Sequence, residues 1–403
     1  MTTAIVLGGG VGGTAAANAL RQSLPGSDRI VVIDRNSEQL FAPSLPWLMV
    51  GRRRPERLHR PIAGMLRSGV DFVQATILEI DADHRRVVTD AGEWTGDALV
   101  VALGAEFVAD AVPGYGEEAH NFFTLDGAAS FAAGLAHFSG GRIAVAVTSL
   151  PFKCPAAPYE AALLVEAALR RRGLRTGSEV EVFTPEPAPL PVAGPVLGRA
   201  LLEILKSRGI HYHPNQTITG YDPAAHRILF EDGASEAVDL LAATPPHRSP
   251  LPVRESGLAN PAGWLPVDAD TLETSRENVF AIGDVTAIQL ANGKLLPKAG
   301  VFAHAQAYAV ADQISARFGR GRQSTFDGRG YCWVELGDAR AAFAVGEFYA
   351  KPDPALALRR PGLFWHLGKV LFERYWLGGR LERSLAGLGL RLGATVLGFP
   401  ARL

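Results

Sequence analysis

Six residues near the start, Gly8-Gly9-Gly10-Val11-Gly12-Gly13, constrain this chain more than anything that follows. They stand between Ala4-Ile5-Val6-Leu7, which reads as a strand, and Thr14 to Ser23, which reads as a helix; Ile30-Val31-Val32-Ile33-Asp34 then reads as a second strand. The order is a βαβ unit. Its turn fits G-x-G-x-x-G with Gly8, Gly10 and Gly13: the first permits a tight turn, the second lets backbone approach a pyrophosphate, and the third lets helix pack on strand. The helix N-terminus then faces the phosphate charge. Asp34, 21 residues beyond Gly13, stands where a carboxylate accepts from ribose hydroxyls. Glycine turns are common in purely structural roles, but the flanking strands and the acid in register favour a bound dinucleotide.

At 403 residues and 42.9 kDa the chain is long enough for two or three domains of roughly 150 residues each. With 47% hydrophobic and 20% charged residues it reads as globular. A formal net charge of -1, without aromatic-plus-basic RNA motifs, argues against nucleic acid. Two cysteines exclude a disulfide scaffold and a cysteine-rich metal centre, so no metal is expected. No secretory signal is expected from Met1 to Leu7. No apolar run approaches the roughly 18 residues of a spanning helix; the longest charge-free stretch, Gly127 to Gly141, is rich in Gly, Ala and Ser.

After an arginine-rich segment (Arg52, Arg53, Arg54, Arg57, Arg60), Asp71 to Ile80 and Arg86 to Thr89 read as an antiparallel hairpin insert, and Ala98 to Leu103 as a buried strand. A second α/β unit starts at Arg142 to Val147 and continues with a helix from about Pro158 and a strand at Val180 to Thr184. The fold class expected is α/β: two Rossmann-like dinucleotide-binding domains, the second inserted in the first, plus a C-terminal region with amphipathic helices. The boundaries expected are 1–105 and 268–325 for the first domain, 106–267 for the second and 326–403 for the C-terminal region.

Val279-Phe280-Ala281-Ile282-Gly283-Asp284 resembles the second flavin motif of the two-dinucleotide flavoprotein superfamily, and Leu99 to Gly104 resembles its strand ending in A-T-G, with Leu103 in place of the threonine. The resemblance implies FAD, with Asp284 on the ribityl chain and Gly104 beside the cofactor. In the second unit, the strand Ile143 to Val147 runs into Thr148-Ser149-Leu150-Pro151-Phe152-Lys153-Cys154-Pro155-Ala156-Ala157-Pro158-Tyr159-Glu160. Each proline removes an amide donor and the bulky side chains keep a phosphate away, so NAD(P)H is not expected as reductant.

On composition alone, Cys154 and Cys332 read as two unrelated buried thiols. Lys153-Cys154-Pro155-Ala156-Ala157-Pro158-Tyr159-Glu160, however, resembles the K/R-C-x-x-x-P-Y-E segment of sulfide:quinone oxidoreductases and of the flavocytochrome c sulfide dehydrogenase flavoprotein, and Cys332 falls at their second redox cysteine. The resemblance implies that hydrosulfide attacks a Cys154/Cys332 bridge, leaving a persulfide and a thiolate, and that two electrons pass to FAD. Lys153 either favours the Cys154 thiolate or points away. Glu160 is a candidate proton carrier, against a plain first-turn carboxylate. Phe123 stands where one type of the family has a third cysteine, and no cysteine occurs near Pro43-Ser44-Leu45, where flavocytochrome relatives attach their flavin, so non-covalent FAD is expected. Lys298 resembles a lysine near the pyrimidine side of the flavin, against a surface lysine at a helix start.

From Arg359 to Leu403 there are eight Lys or Arg and two Glu, a net +6, interleaved with Phe364, Trp365, Phe372, Tyr375, Trp376, Phe399 and leucines. Such helices lie in the interface of anionic bilayers; the alternative is a helix pair docked on the core or forming a homo-oligomer. His366 to Tyr375 resembles the C-terminal segment of the quinone-linked enzymes, which implies that Trp333, Lys369 and Phe372 frame a quinone ring. The whole reads as a monotopic, peripheral membrane flavoprotein oxidising sulfide to polysulfide sulfur and reducing a quinone. Three alternatives stand beside it: a soluble sulfide dehydrogenase serving cytochrome c, a type II NADH:quinone oxidoreductase, and a non-enzymatic flavin/thiol redox sensor.

Overall fold

In a computed structural model, which describes residues 1–397, the glycine turn joins β1 (Thr3–Leu7) to α1 (Val11–Ser23) and α1 leads to β2 (Arg29–Asp34). Phe399 and Arg402 of the tail lie outside the described residues. The chain continues through β3 (Asp71–Gln74), β4 (Ile77–Asp81), β5 (Arg86–Thr89), β6 (Gly92–Thr95) and β7 (Ala98–Val101). Then come β8 (Ala119–His120), α2 (Leu125–His137), β9 (Gly141–Val147), α3 (Ala157–Arg171), β10 (Ser178–Phe183), α4 (Pro195–Ser207), β11 (Ile210–His213) and β12 (Leu240–Thr244). The first sheet is completed by β13 (Val279–Ala281), which is followed by α5 (Gly300–Arg317).

Two five-stranded sheets, wholly parallel, carry the molecule, in orders β13-β7-β1-β2-β3 and β8-β12-β9-β10-β11. Their strands are near-continuous apolar runs because both faces are covered, as at the fully buried Val6, Val32 and Val100. Since β1, β7 and β13 run side by side and parallel, the turn at Gly8, the segment at Gly104 and the turn at Gly283 all leave the same end of one sheet. That end is where open α/β sheets bind ligands.

One expectation is corrected. Asp71 to Ile80 is not one arm of a hairpin: β3 joins the parallel sheet beside β2, with Val32 opposite Phe72, and only β4 enters the antiparallel trio with β5 and β6. The switch falls at Ala75 and Thr76, whose N–H groups donate to Asp34 O and to the Asp90 carboxylate respectively. An apolar run long enough for two strands does not show in its periodicity where it changes partner.

The C-terminal region is an antiparallel sheet of β14 (Arg329–Glu335), β15 (Ala341–Glu347) and β16 (Ala355–Gly362), followed by the helix pair α6 (Leu363–Leu377) and α7 (Arg380–Leu397). The helices pack closely because α7 presents glycines to α6: a Cβ on Gly389 would stand 2.9 Å from a Leu371 methyl. The opposite face of α7 leaves Leu381, Leu385, Leu388 and Leu392 at 58–74% exposure, spaced as one helical stripe. Among the described residues, no helix is long and apolar enough to cross a membrane.

Candidate active site

The first glycine turn has one open position. A Cβ on Gly8, at φ +103, would lie 2.4 Å from Ala102 O, and one on Gly13 would lie 1.8 Å from Gly8 O, so both residues are demanded by packing. At Gly10 nothing lies within 4 Å of such an atom. α1 starts there without a side-chain cap and without an acidic first turn, which leaves its leading N–H groups free for an anion. Gly104 is similarly open. Asp34 braces the turn, its carboxylate accepting from Gly9 N at 2.6 Å and Asn36 N at 2.7 Å. The residues present thus fit a pyrophosphate. Gly10→Val should fill the space and give a folded protein lacking the yellow flavin band; full flavin occupancy in that variant would remove Gly10 from the phosphate path.

Gly10 and Gly104 open into a cavity of about 460 Å³ that also receives Asp284, Lys298, Cys154, Cys332, Glu160, Trp333, Lys369 and Phe372. Gly8, Gly13 and Asp34 are not among its lining residues. At the cavity the two halves are joined by backbone: Lys153 and Lys298 form a parallel bridge, and Cys154 N donates to Lys298 O at 2.6 Å. Cys154 itself has φ +50, a left-handed conformation that costs a non-glycine residue on the order of 1 kcal/mol and is common where backbone geometry serves a site.

Asp284 faces two cations. Burial raises its carboxyl while Lys153 and Lys298 pull it down. Lys298 donates to the backbone carbonyls of Asp284 (2.7 Å) and Thr286 (3.0 Å) and lies 3.5 Å above the Trp264 ring; burial lowers it to about 8, with Asp284 opposing. Lys153 lies 4.2 Å from the centre of the Phe107 ring, and burial lowers its pKa as well. Lys153 serves Asp284 first and Cys154 second while its side chain lies over Phe107.

Both cysteines are free thiols at the cavity wall. Burial, then Glu160, pushes Cys154 up to about 12, and Lys369 opposes. Burial pushes Cys332 up further, with Cys154 and Glu160 adding to the rise and Lys369 again opposing. The cation that favours both thiolates therefore comes from α6, some two hundred residues beyond Cys154. Cys332 sits on β14 opposite Ala344 and donates to Trp333 O at 3.3 Å. Phe123, at the third-cysteine position, is buried against Phe122 with ring centres 4.7 Å apart, and both line the cavity.

Lys369 and Glu160 are joined directly as a buried ion pair, each about 5% exposed. Burial raises Glu160 to about 7, Lys369 lowers it, and Glu335 raises it. For Lys369, burial lowers and the two glutamates raise, with the glutamates prevailing. Glu335 is wholly buried and bound to His366 Nδ1 at 2.8 Å. Trp47 takes both Lys369 and Arg53 against its ring, at 4.8 and 4.2 Å, and Arg53 in turn pairs with Glu373, which also accepts from Ser44 at 2.6 Å. Glu335, His366 and Trp47 were not singled out from sequence. A glutamate inside an apolar strand, three residues after Cys332, was the available signal, and His366 lies one turn before Lys369. Trp333 and Phe372 stack on each other, 5.4 Å apart at 30°, and so form one aromatic wall.

Paired dinucleotide folds, one with an open phosphate cradle and both contributing to a cavity that holds two thiols, define an FAD-dependent oxidoreductase. The family model for pyridine nucleotide-disulphide oxidoreductases matches residues 2–307. The chain belongs to that family, whose members bind FAD. It is 23% identical to the mitochondrial sulfide:quinone oxidoreductase of Mus musculus, across 96% of this chain and 90% of the relative. It is 27% identical to the sulfide-quinone reductase of Aquifex aeolicus, across 93% and 90%. The X-ray structure of the sulfide:quinone oxidoreductase from Aquifex aeolicus has the same fold, with a TM-score of 0.82 at 24% identity over 94% of this chain and 91% of that one.

Proposed function

We propose that this chain oxidises sulfide to polysulfide sulfur through Cys154 and Cys332 and passes the electrons to a membrane quinone. The observation that carries the reading is that two thiols 178 residues apart in the sequence, the only two cysteines in the chain, both line the cavity onto which the FAD cradle opens. Full-length similarity to sulfide:quinone oxidoreductases supports it. The three-part division at 1–105 with 268–325, 106–267 and 326–403 is proposed with it.

Bound FAD supplies the two-electron acceptor between sulfide and quinone; Gly10, Gly104, Asp284 and Lys298 would hold it. The rest falls to side chains. Hydrosulfide attacks one sulfur of a Cys154–Cys332 bridge; the S–S bond breaks, one cysteine becomes a persulfide and the other leaves as a thiolate. Lys369 makes that leaving thiolate less costly. Glu160, held near neutrality, takes up or gives a proton at its carboxyl oxygen without leaving contact with Lys369. Trp333 and Phe372 offer a flat apolar wall to a quinone ring, with Lys369 one turn earlier on the same helix. The exposed leucines of α7, with Leu363, Phe364 and Leu367 on α6, set the protein on a membrane surface.

An NADH-linked reading fares worse. At the end of β10, where a nucleotide-binding unit offers a ribose carboxylate, Glu186 is buried and accepts the hydroxyl of the fully buried Tyr159 at 2.5 Å. Anaerobic sulfide should bleach the flavin and a soluble quinone should restore it, while NADH does neither. Bleaching by NADH at a rate matching sulfide would overturn the proposal.

A further inference from the structure

We propose that Arg60 and Arg383 form a binding site for the phosphate headgroup of an anionic phospholipid at the base of the α6–α7 hairpin. The inference rests on the membrane reading above and gives it a chemical specificity that the apolar face alone does not have. The arginine-rich segment that follows the first βαβ unit folds against the C-terminal helices. Arg53 pairs with Glu373 on α6, and Arg60 donates to Trp376 O at 3.0 Å and Gly64 O at 3.5 Å. Arg383 lies one turn into α7, between Leu381 and Leu385 of the exposed stripe.

Arg60 reaches the carbonyl of Trp376 at the end of α6, and Arg383 N donates to Gly379 O, three residues further on in the turn, at 2.9 Å, so both arginines stand at the α6–α7 turn. Burial first, and the Arg383 charge second, lower Arg60. Two like charges brought together call for an anion. Among the described residues neither has a carboxylate partner, and the buried Arg383 Nε has no acceptor at all. The carboxylates of the two segments are engaged elsewhere or exposed: Glu373 is taken by Arg53, Glu382 accepts from Gly379 N at 3.3 Å, and Glu56 lies on the surface. A phosphate supplies the acceptor that the Arg383 fork lacks, beside an Arg60 whose Nη groups reach only backbone carbonyls. Acyl chains suit the leucine stripe running from Leu381 to Leu392, and Arg54 and Arg57 add exposed positive charge from the same segment as Arg60.

The test floats the full-length, FAD-loaded protein with vesicles of phosphatidylcholine alone or of phosphatidylcholine with phosphatidylglycerol. Wild type should prefer the anionic vesicles. A basic residue near an anionic surface contributes about fivefold to binding, so Arg60→Gln with Arg383→Gln should weaken anionic binding roughly thirtyfold at low salt and leave the phosphatidylcholine value alone. Because Arg60 also ties down Trp376, Arg383→Glu is the informative second variant. It pairs with Arg60, keeps or raises the melting temperature, and still loses the anionic preference. Equal binding of wild type to both vesicles, or undiminished preference in either variant, would overturn the site while leaving the membrane reading intact. Binding of wild type to neither vesicle would end both. Displacement by millimolar inorganic phosphate, but not by chloride at equal ionic strength, would identify a free-phosphate site and overturn the lipid assignment. A change of oligomeric state in the variants without a change in vesicle binding would point to a second copy of the chain and do the same.

Discussion

Cys154→Ala and Cys332→Ala should each slow the bleaching of the flavin by sulfide by at least roughly a thousandfold, with FAD occupancy unchanged, because residues that act as one unit fail together. The two thiols share a cavity and Cys154 raises the pKa of Cys332, so each belongs to the other's electrostatic surroundings. A bridge needs both sulfurs, and a persulfide on one needs the other as leaving group. Neither substitution threatens the cradle. Gly10 and Gly104 are backbone features of the first sheet, while Cys332 belongs to a separate antiparallel sheet and Cys154 to the loop after β9. Losing one sulfur at a cavity wall costs about 1 kcal/mol of packing, too little to unfold the chain. Stopped-flow bleaching at fixed sulfide, with the flavin-to-protein ratio and melting temperature as controls, reads the result. Undiminished bleaching in one variant would remove that cysteine from the chemistry.

The first half of this site was readable because it is made of backbone demands. Gly8 and Gly13 are required by contacts of 2.4 and 1.8 Å that no other residue tolerates, and such a demand shows as a glycine at a fixed spacing. The parallel sheets were readable from apolar runs covered on both faces, but the point where Asp71–Gln74 parts from Ile77–Asp81 was not, because hydrophobic period carries no record of which neighbour a strand pairs with. The electrostatics were the least legible. Sequence adjacency suggested Lys153 for Cys154; the fold adds Lys369, which favours both thiolates, because α6 crosses the cavity at Glu160, while Lys153 extends over Phe107 and answers to Asp284 first and Cys154 second. For the same reason the net +6 of the tail overstates the charge its surface presents. Lys369 is spent on Glu160, and part of the cationic surface comes instead from the arginine segment near residue 60.

Lys369→Met should weaken both halves of the reaction, and its stability should fall more steeply with pH than that of wild type. Lys369 lowers the pKa of Glu160, Cys154 and Cys332, so its removal raises all three. Each unit of rise in a thiol makes its thiolate about tenfold rarer, so the sulfide half-reaction slows although Lys369 has been moved from neither cysteine's own segment. Quinone reduction should fall by roughly a hundredfold as the positioned cation and proton donor is lost. The stability effect has a definite sign. Glu160 in the folded wild type titrates at about 7 against an ordinary value of 4.5, so the folded state holds its proton the more tightly. A carboxyl raised in this way loses stability as pH climbs from its unfolded value to its folded one, at about 1.4 kcal/mol per unit. Without Lys369 the folded value rises further and that window widens upward, so the variant's melting temperature should go on falling above pH 7, where the wild type has levelled off. Glu160→Gln in the Lys369→Met background should abolish the additional slope, since an amide holds no titrating proton. Lys369→Arg should restore the slope of wild type by returning the charge, while its longer planar group reaches the quinone wall differently and leaves turnover impaired. Parallel melting curves for wild type and Lys369→Met between pH 5 and 9 would mean that the two side chains are not coupled in the folded protein.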